Sequence, residues 1–535
     1  MKKIYYFIIS GILLAISFPP FPLFFTSFFA FIFLLLGVES YKEGEIKRIF
    51  WKLYLTFFIF NLSTLWWISS FQEQTDPFLM ASGFAVDLFH PFILMIPMYF
   101  YLKIRSYFSR NISILLFPVI YTAFEYFHSV GELSYPWISI GNSQINNTYF
   151  VQIADLFGVW GITFIIAMVN SLILLSYYKY QETKQYDFVK ITSILFLVIA
   201  PNIYGIIRVN NFEHEELKRN NESIKIAVLQ PNINPWEKWS SGPIAQIDYL
   251  LRLQDSLSKH DDFDLAILPE TSILRISDEF NKELNLSFLQ NWVDKSNTSL
   301  LSGFIHTYEY KEGESRQLSA RYDKYNDLWE ESFNSAIMIN PKDSLYKVYH
   351  KGKLTPFAER IPNLEYFNFL TEFISWGVGI SAWGLGQEKF NLEYNKDGKN
   401  TKIASIICIE SIYPDFCREF TERGAEVLAI ITNDAWYDGT PGPLQHYNIA
   451  RMRAIENRRY IARSANSGIS GFISPIGESL KEATIMSKEA ISFDVPKLNE
   501  KSVYVSIGDV FAKILFVLSI FLYLFVVIQK LKKGK

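Results

Sequence analysis

The sequence predicts a multi-pass α-helical membrane bundle of eight spans carrying one α/β domain outside the cytoplasm. Three observations predict it. Apolar runs of about 20 residues, the length that crosses a bilayer core as a helix, fill residues 1–208 and return near the C-terminus. Lys and Arg gather on one side of those runs only. Between them, 209–507 alternates short β-rich apolar stretches with segments of helical period.

Seven apolar runs come first, at 4–20, 23–39, 51–70, 79–102, 112–128, 157–177 and 190–208, and an eighth covers 510–529. Lys2 and Lys3 ahead of the first run imitate a signal peptide, but six more runs follow at once, so the first is expected to be retained. With the N-terminus inside, sixteen basic residues fall in inside segments, among them Lys47, Arg48, Lys103, Arg105, Lys184 and the tail Lys530, Lys532, Lys533 and Lys535. The short outside loops at 19–23, 71–78 and 129–156 hold no Lys or Arg. That split orients the chain by the positive-inside rule. Both termini are then cytoplasmic, 1–208 forms the bundle, 209–507 faces the outside, and 508–535 returns as the eighth span with a basic tail. Asp87, His90 and Glu125 lie inside runs. Such groups face the bundle interior, and structural interhelical hydrogen bonds are expected of them rather than a proton relay.

A near-neutral chain (−3), half hydrophobic and 17% aromatic, has no basic footprint for nucleic acid. The outer segment shows β-rich runs at 223–230, 265–268, 299–304, 335–339, 403–409 and 427–432, with helical period at 247–257, 416–423 and 445–462. The pattern predicts α/β layering around a largely buried sheet.

Reactive side chains stand at three strand ends. Ala266-Ile-Leu-Pro-Glu270 ends in a carboxylate. Tyr349-His-Lys351 follows another run with a cation, and Glu359 lies eight residues on. Ser405-Ile-Ile-Cys408 ends in one of only two cysteines. Alone, Cys408 reads as a buried small hydrophobe, as half of a disulfide with Cys417, or as a nucleophile. A base, a cation and a thiol at equivalent positions together form the apparatus of acyl transfer through a thioester.

The set resembles the carbon–nitrogen hydrolase (nitrilase) superfamily, whose sites use a Glu-Lys-Cys triad in an α-β-β-α sandwich. With seven spans before it and one after, it is similar to the apolipoprotein N-acyltransferase family over nearly the whole chain. The matching residues are Leu268-Pro-Glu270-Thr-Ser, Lys351-x-x-Leu-x-Pro-Phe-x-Glu359, Cys408-x-Glu410, Ile431-Thr-Asn-Asp-Ala-Trp436, Gln445-His446, Ala450-Arg-Met-Arg-Ala454 and Tyr135-Pro-Trp137. The resemblance implies Glu270, Lys351 and Cys408 as the triad and Glu359 as a second carboxylate holding it in register. It also implies Ile409 and Glu410 in support, and Trp239 and Trp436 as substrate contacts. Two positions depart from the pattern: Ile409 stands where an aromatic is expected, and Ala358 stands in place of Gly.

The resemblance further implies a bacterial inner-membrane enzyme with its catalytic domain on the periplasmic face. It would act as a monomer, with no cofactor, metal or nucleic-acid partner. A membrane phospholipid donates an acyl chain to Cys408, and the amine of a diacylglyceryl apolipoprotein accepts it in a ping-pong sequence. The alternative is a membrane-tethered amidase or nitrilase acting on a small C–N substrate. The segment 367–385, with Trp376 and Trp383, reads either as a core strand-turn unit or as a lid dipping into the membrane interface. Cys408 and Cys417, nine residues apart across a strand end, a turn and a helix start, are expected to stay reduced.

Overall fold

The computed structural model describes residues 3–41, 46–69, 77–218, 222–238, 242–258, 262–277, 284–343, 345–363, 366, 383–396 and 398–533. The chain divides into two compact units, one of Met1–Ser69, Ala81–Lys218 and Ser502–Lys535, the other of Ser70–Met80 and Arg219–Lys501.

Eight helices cover the seven apolar runs of 1–208. They are α1 (Ile4–Ala15), α2 (Ser27–Glu39), α3 (Ile46–Leu65), α4 (Pro77–Leu94), α5 (Ile96–Arg105), α6 (Arg110–His128), α7 (Ala154–Thr183) and α8 (Phe188–Lys218). The run at 79–102 is split at Met95, between Pro91 and Pro97, which cannot donate to the helical ladder. The run at 190–208 continues as helix to Lys218. Among the described residues, five helical stretches are long and apolar enough to cross a membrane: Lys47–Ser69, Leu79–Arg105, Phe150–Thr183, Phe188–His214 and Val510–Lys532. Ile4–Ala15 and Phe24–Glu39 are shorter apolar helices.

The buried ionisable groups of this unit make interhelical hydrogen bonds. Glu125 accepts from the Ile140 N–H at 2.8 Å and the Thr163 hydroxyl at 2.7 Å, tying α6 to α7 and to the loop between them. Asn61 bridges Asp87 at 3.3 Å and His90 Nδ1 at 2.6 Å, tying α3 to α4. Gly158, at φ +63°, breaks α7 near its start, where a side chain would also strike Tyr504.

The second unit is built from two sheets. Its strands are β1 (Ser223–Gln230), β2 (Leu265–Ile267), β3 (Ile273–Ser277), β4 (Ser299–Tyr310), β5 (Arg321–Asp323), β6 (Leu328–Ile339) and β7 (Lys347–His350) in one half. The other half has β8 (Leu392–Lys396), β9 (Lys399–Ile407), β10 (Val427–Thr432), β11 (Ile461–Ala465), β12 (Gly471–Ile473) and β13 (Ser479–Glu482), before β14 (Glu489–Pro496) returns to the first. The first sheet runs β14-β1-β2-β4-β6-β5, with β3 on β4 and β7 on β6; the second runs β13-β12-β11-β10-β9-β8. Central strands β1, β2 and β4 are mutually parallel, as are β9, β10 and β11. Such strands are buried on both faces, and β10 is buried at every position.

Helices α9 (Pro243–Ser258) and α10 (Leu284–Ser296) cover the first sheet. Ile247, Leu250, Leu251, Leu286, Leu289 and Val293 pack there on Ala266, Leu300, Phe304 and Ile337. Helix α11 (Pro414–Glu422) lies against β9 and against α12 (Gly442–Asn457). The two sheets meet face to face, as in the 2.7 Å bond from the Ser464 hydroxyl on β11 to the Leu229 carbonyl on β1. Helices α13 (Val503–Ile507) and α14 (Val510–Lys533) close the chain.

One expected helix ends early. The period over 445–462 continues through Ile461 and Ala462, but α12 stops at Asn457, with Arg458 at φ +50°. Ile461 onward is β11, paired with the central β10, so sheet burial overrides the local pattern. The expected strand at 403–409 likewise ends at Ile407, where a 3-10 turn, Cys408–Ile412, begins.

Candidate active site

Two carboxylates converge on one buried ammonium. Glu270 follows β2, Lys351 follows β7 and Cys408 follows β9, each at a strand end. Lys351 Nζ lies 2.9 Å from Glu270 Oε1 and 2.9 Å from Glu359 Oε1, and is 1% exposed. Burial opposes its charge, yet the Glu270 and Glu359 carboxylates hold its pKa well above the usual lysine value. Glu359 in turn is lowered from the ordinary carboxylate value: burial raises it, but Lys351 together with the hydrogen bonds from Thr355 and Asn334 outweighs burial. Lys351 thus has the carboxylate partners that a buried cation requires.

The carboxylates are locked in orientation. Asn334, on β6, donates to Glu270 Oε1 at 2.7 Å and to Glu359 Oε1 at 3.1 Å. The Thr355 N–H donates to Glu359 Oε2 at 2.7 Å. The Asn433 N–H, at the end of β10, donates to Glu270 Oε2 at 3.0 Å. A carboxylate oxygen has two lone-pair sites, so Oε2 of Glu270 retains one for a further proton donor. Behind it the buried Lys238 ammonium donates to the Glu270 carbonyl at 3.1 Å and to Thr271 Oγ1 at 2.9 Å. Thr271 is held at φ +48°, the kind of strained backbone that surrounding structure must pin.

Cys408 is a half-buried free thiol at φ +50°. Burial, then the Glu270 carboxylate, pushes it up from the ordinary thiol value, against Lys351, which lowers it. Its resting form is therefore the thiol, and attack needs a base that removes the proton as the bond forms. Glu410 staples the site from below. Its carboxylate accepts from the Tyr349 hydroxyl (2.7 Å), the Gly352 N–H (2.6 Å) and the Ile407 N–H (2.7 Å). It thereby joins the β7 end that carries Lys351 to the β9 end that carries Cys408. Cys417 is also a free thiol, fully buried, with its Sγ 3.4 Å from the Glu410 carbonyl.

One further donor set lies beside the thiol: Cys408 Sγ, an Asp434 oxygen and a His446 nitrogen fall within 4.8 Å of one another. Asp434 already binds Arg463 at 2.8 Å, His446 at 2.9 Å and the Thr432 hydroxyl at 2.9 Å. The set is a hydrogen-bonded network.

Residues 10–172 match the model of the apolipoprotein N-acyltransferase N-terminal domain, and residues 225–497 match that of carbon-nitrogen hydrolase. An apolipoprotein N-acyltransferase from Chlorobaculum tepidum is 31% identical over 94% of this chain and 92% of its own length. The chain belongs to the apolipoprotein N-acyltransferase family. Apolipoprotein N-acyltransferase 1 of Treponema denticola is 27% identical over 95% of this chain and 92% of its own. Among solved structures, Nit3 of Saccharomyces cerevisiae is similar over 51% of this chain and 90% of its own, at 18% identity and a TM-score of 0.36.

Against the family pattern of this N-acyltransferase, the two departures have clear places. Ile409 is buried in the turn that follows Cys408. Ala358 causes no strain, because the left-handed residue of that loop is its neighbour Phe357, at φ +62°. Trp436 packs edge-on against Trp236, with ring centroids 5.3 Å apart. Trp239, Trp376 and the stretch 367–382 lie outside the described residues. The described end of that segment is anchored by backbone bonds: Trp383 N–H to Glu359 O at 3.1 Å and Gly386 N–H to Lys351 O at 2.9 Å. Sequence reasoning passed over Asn334. The available signal was a polar amide at the head of the apolar β6 stretch Phe333-Asn-Ser-Ala-Ile-Met, because a buried amide needs partners.

Proposed function

We propose that the protein transfers an acyl chain from a membrane phospholipid to the N-terminal amine of a diacylglyceryl-cysteine apolipoprotein, the last step of lipoprotein maturation. The observation that carries the reading is the triangle of Glu270, Lys351 and Glu359, in which Glu270 and Lys351 follow strand ends as Cys408 does. In the first half-reaction Cys408 Sγ bonds to the ester carbonyl carbon while Glu270 takes the thiol proton. The tetrahedral oxyanion faces Lys351 Nζ and the Ile409 backbone N–H; one such donor is typically worth about 3–4 kcal/mol of barrier. The ester C–O bond then breaks, Glu270 returns the proton to the lyso-phospholipid oxygen, and a thioester remains on Cys408.

In the second half-reaction the lipoprotein amine attacks that thioester. Glu270 takes a proton from nitrogen, the C–S bond breaks, the sulfur regains a proton and an amide is formed. Glu359 and Glu410 hold the lysine and the thiol in register, and Trp239 and Trp436 contact substrate. The domain plan is a seven-span bundle at 1–208, the catalytic domain at 209–507, and an eighth span with its tail at 508–535. The protein is a monomer of the bacterial inner membrane, with the catalytic domain periplasmic and both termini cytoplasmic; the one-sided distribution of Lys and Arg supports this orientation.

The test is incubation of the purified full chain with phospholipid labelled in its acyl chain. A hydroxylamine-sensitive adduct on Cys408, discharged by a diacylglyceryl peptide, is expected. Label on no residue, or on one other than Cys408, would sink the reading.

A further inference from the structure

The Asp434–His446–Ser411 network touches the Cys408 backbone, and the reaction as derived gives it no role. The Cys408 carbonyl oxygen lies 2.7 Å from Ser411 Oγ and 3.2 Å from His446 Nε2, and these two side-chain atoms are 2.8 Å apart. On its other side the imidazole places Nδ1 2.9 Å from Asp434 Oδ1. Asp434 is itself held by the Thr432 hydroxyl and by Arg463 Nη2, the latter also 3.1 Å from His446 Nδ1. Asp434, His446, Arg463 and Ser411 are all buried. Burial opposes the Asp434 charge, but Arg463 and His446 hold its carboxyl well below the usual range. Asp434 is therefore an acceptor only, so His446 Nδ1 donates to it; holding the carbonyl oxygen requires Nε2 to donate as well, the two N–H groups of an imidazolium set between two acceptors.

The consequence follows from peptide geometry. The Cys408 C=O and the Ile409 N–H belong to one planar trans unit and point in opposite directions. Whatever fixes the carbonyl fixes the N–H. The pin matters here because Cys408 sits in the left-handed region, which a non-glycine residue keeps only when its surroundings impose it.

We propose that His446, oriented by Asp434 and acting with Ser411, is a positioning residue that holds the Cys408–Ile409 peptide with its N–H toward the developing oxyanion. This rests on the acyl-transfer reading, in which that N–H is an oxyanion donor. His446 works through the backbone and does not supply or remove the thiol proton.

Two reactions of the same sulfur separate positioning from general damage. Acyl transfer develops an oxyanion, whereas alkylation by iodoacetamide displaces iodide and develops none. In the full chain carrying Cys417→Ala, His446→Ala is expected to slow formation of the Cys408 acyl adduct from labelled phospholipid about a hundredfold, the loss typical of one oxyanion donor. Alkylation of Cys408 should stay within about twofold, since no oxyanion donor acts on it. His446→Gln places an amide near the Nε2 position and should recover about tenfold over His446→Ala, while His446→Asn, which mimics the Nδ1 side, should not. Acylation and alkylation falling together, or acylation unchanged, would overturn the proposal. Should His446→Ala fail to fold, Ser411→Ala decides on the same two readouts, with about a tenfold selective loss of acylation expected. A wild-type protein that is alkylated at Cys408 but never acylated would refute the acyl-transfer reading itself, and this assignment with it.

Discussion

At the scale of single residues, Cys408 combines a left-handed backbone with a raised thiol pKa, and the latter points to proton removal during attack rather than before it. Cys408→Ser should keep the fold and lower acyl transfer by about 10⁴-fold or more, because triad members act as a unit; this is checked by the labelled-phospholipid assay. Glu359→Gln should be nearly as damaging as Glu270→Gln. Both carboxylates hydrogen-bond the one Lys351 ammonium, so losing Glu359 frees the lysine that also positions Glu270, and residues acting as a unit fail together. A near-wild-type rate in Glu359→Gln would make its contact with Lys351 incidental. Lys238 offers a pH test. Burial lowers it to about 7 despite the Glu270 charge, so between that value and its unfolded value of 10.5 the unfolded chain binds more protons. Stability should therefore rise as pH climbs from about 7 toward 9, by at most about 1.4 kcal/mol per pH unit from this group. Lys238→Met should flatten that slope in denaturant titrations of the detergent-solubilised protein.

At the scale of elements, the site depends on how closely strands approach at their ends. Gly303, on β4, faces the turn after β2, and a Cβ there would lie 2.7 Å from the Glu270 Cα, the Pro269 carbonyl and the Thr271 nitrogen. These are backbone atoms and cannot swing away. Gly303→Ala should cost about 1–3 kcal/mol of stability by overpacking and should displace Glu270 enough to lower acylation more than it lowers Tm; equal turnover in the variant would show that the turn can relax. Legibility in the sequence differed by element. The central strands β1 and β10 match the apolar runs at 223–230 and 427–432, because a strand buried on both faces must be continuously apolar. The short strands β3, β5, β7 and β8 were not legible. They contain residues such as Arg275, Arg321, Lys347 and Glu393, and they are strands because a neighbour offers a free edge.

At the scale of the whole molecule, the proposed orientation puts 129–156 outside and 184–190 inside. In intact cells of an otherwise cysteine-free variant, a membrane-impermeant maleimide should label Glu132→Cys, on the exposed loop after α6. It should label Lys184→Cys only after the membrane is opened. The reverse pattern would invert the bundle and place the α/β unit in the cytoplasm. The labelling readout is independent of catalysis, so it tests the arrangement even where activity is lost.

The sequence by itself determined the apolar runs, the side on which the basic residues lie, and the reactive groups Glu270 and Cys408 where β-rich runs stop; Lys351 was legible as a residue, but the strand it ends was not. Each is a local property: a run has a length, a loop has a charge, and a strand end is marked by where β-rich apolar residues stop. Only the tertiary structure decided how those ends meet. Asn334 reaching two carboxylates, Asn433 donating across from the other sheet, and Glu410 joining β7 to β9 are contacts between residues 25 to 163 positions apart in the chain. It also decided that Phe357, not Ala358, carries the left-handed turn, and that Ile461 and Ala462 leave the helix for the sheet. The physical reason is the same throughout: a buried polar group or a strand edge is satisfied by whatever the fold brings beside it, and that partner is set by packing rather than by the neighbouring residues.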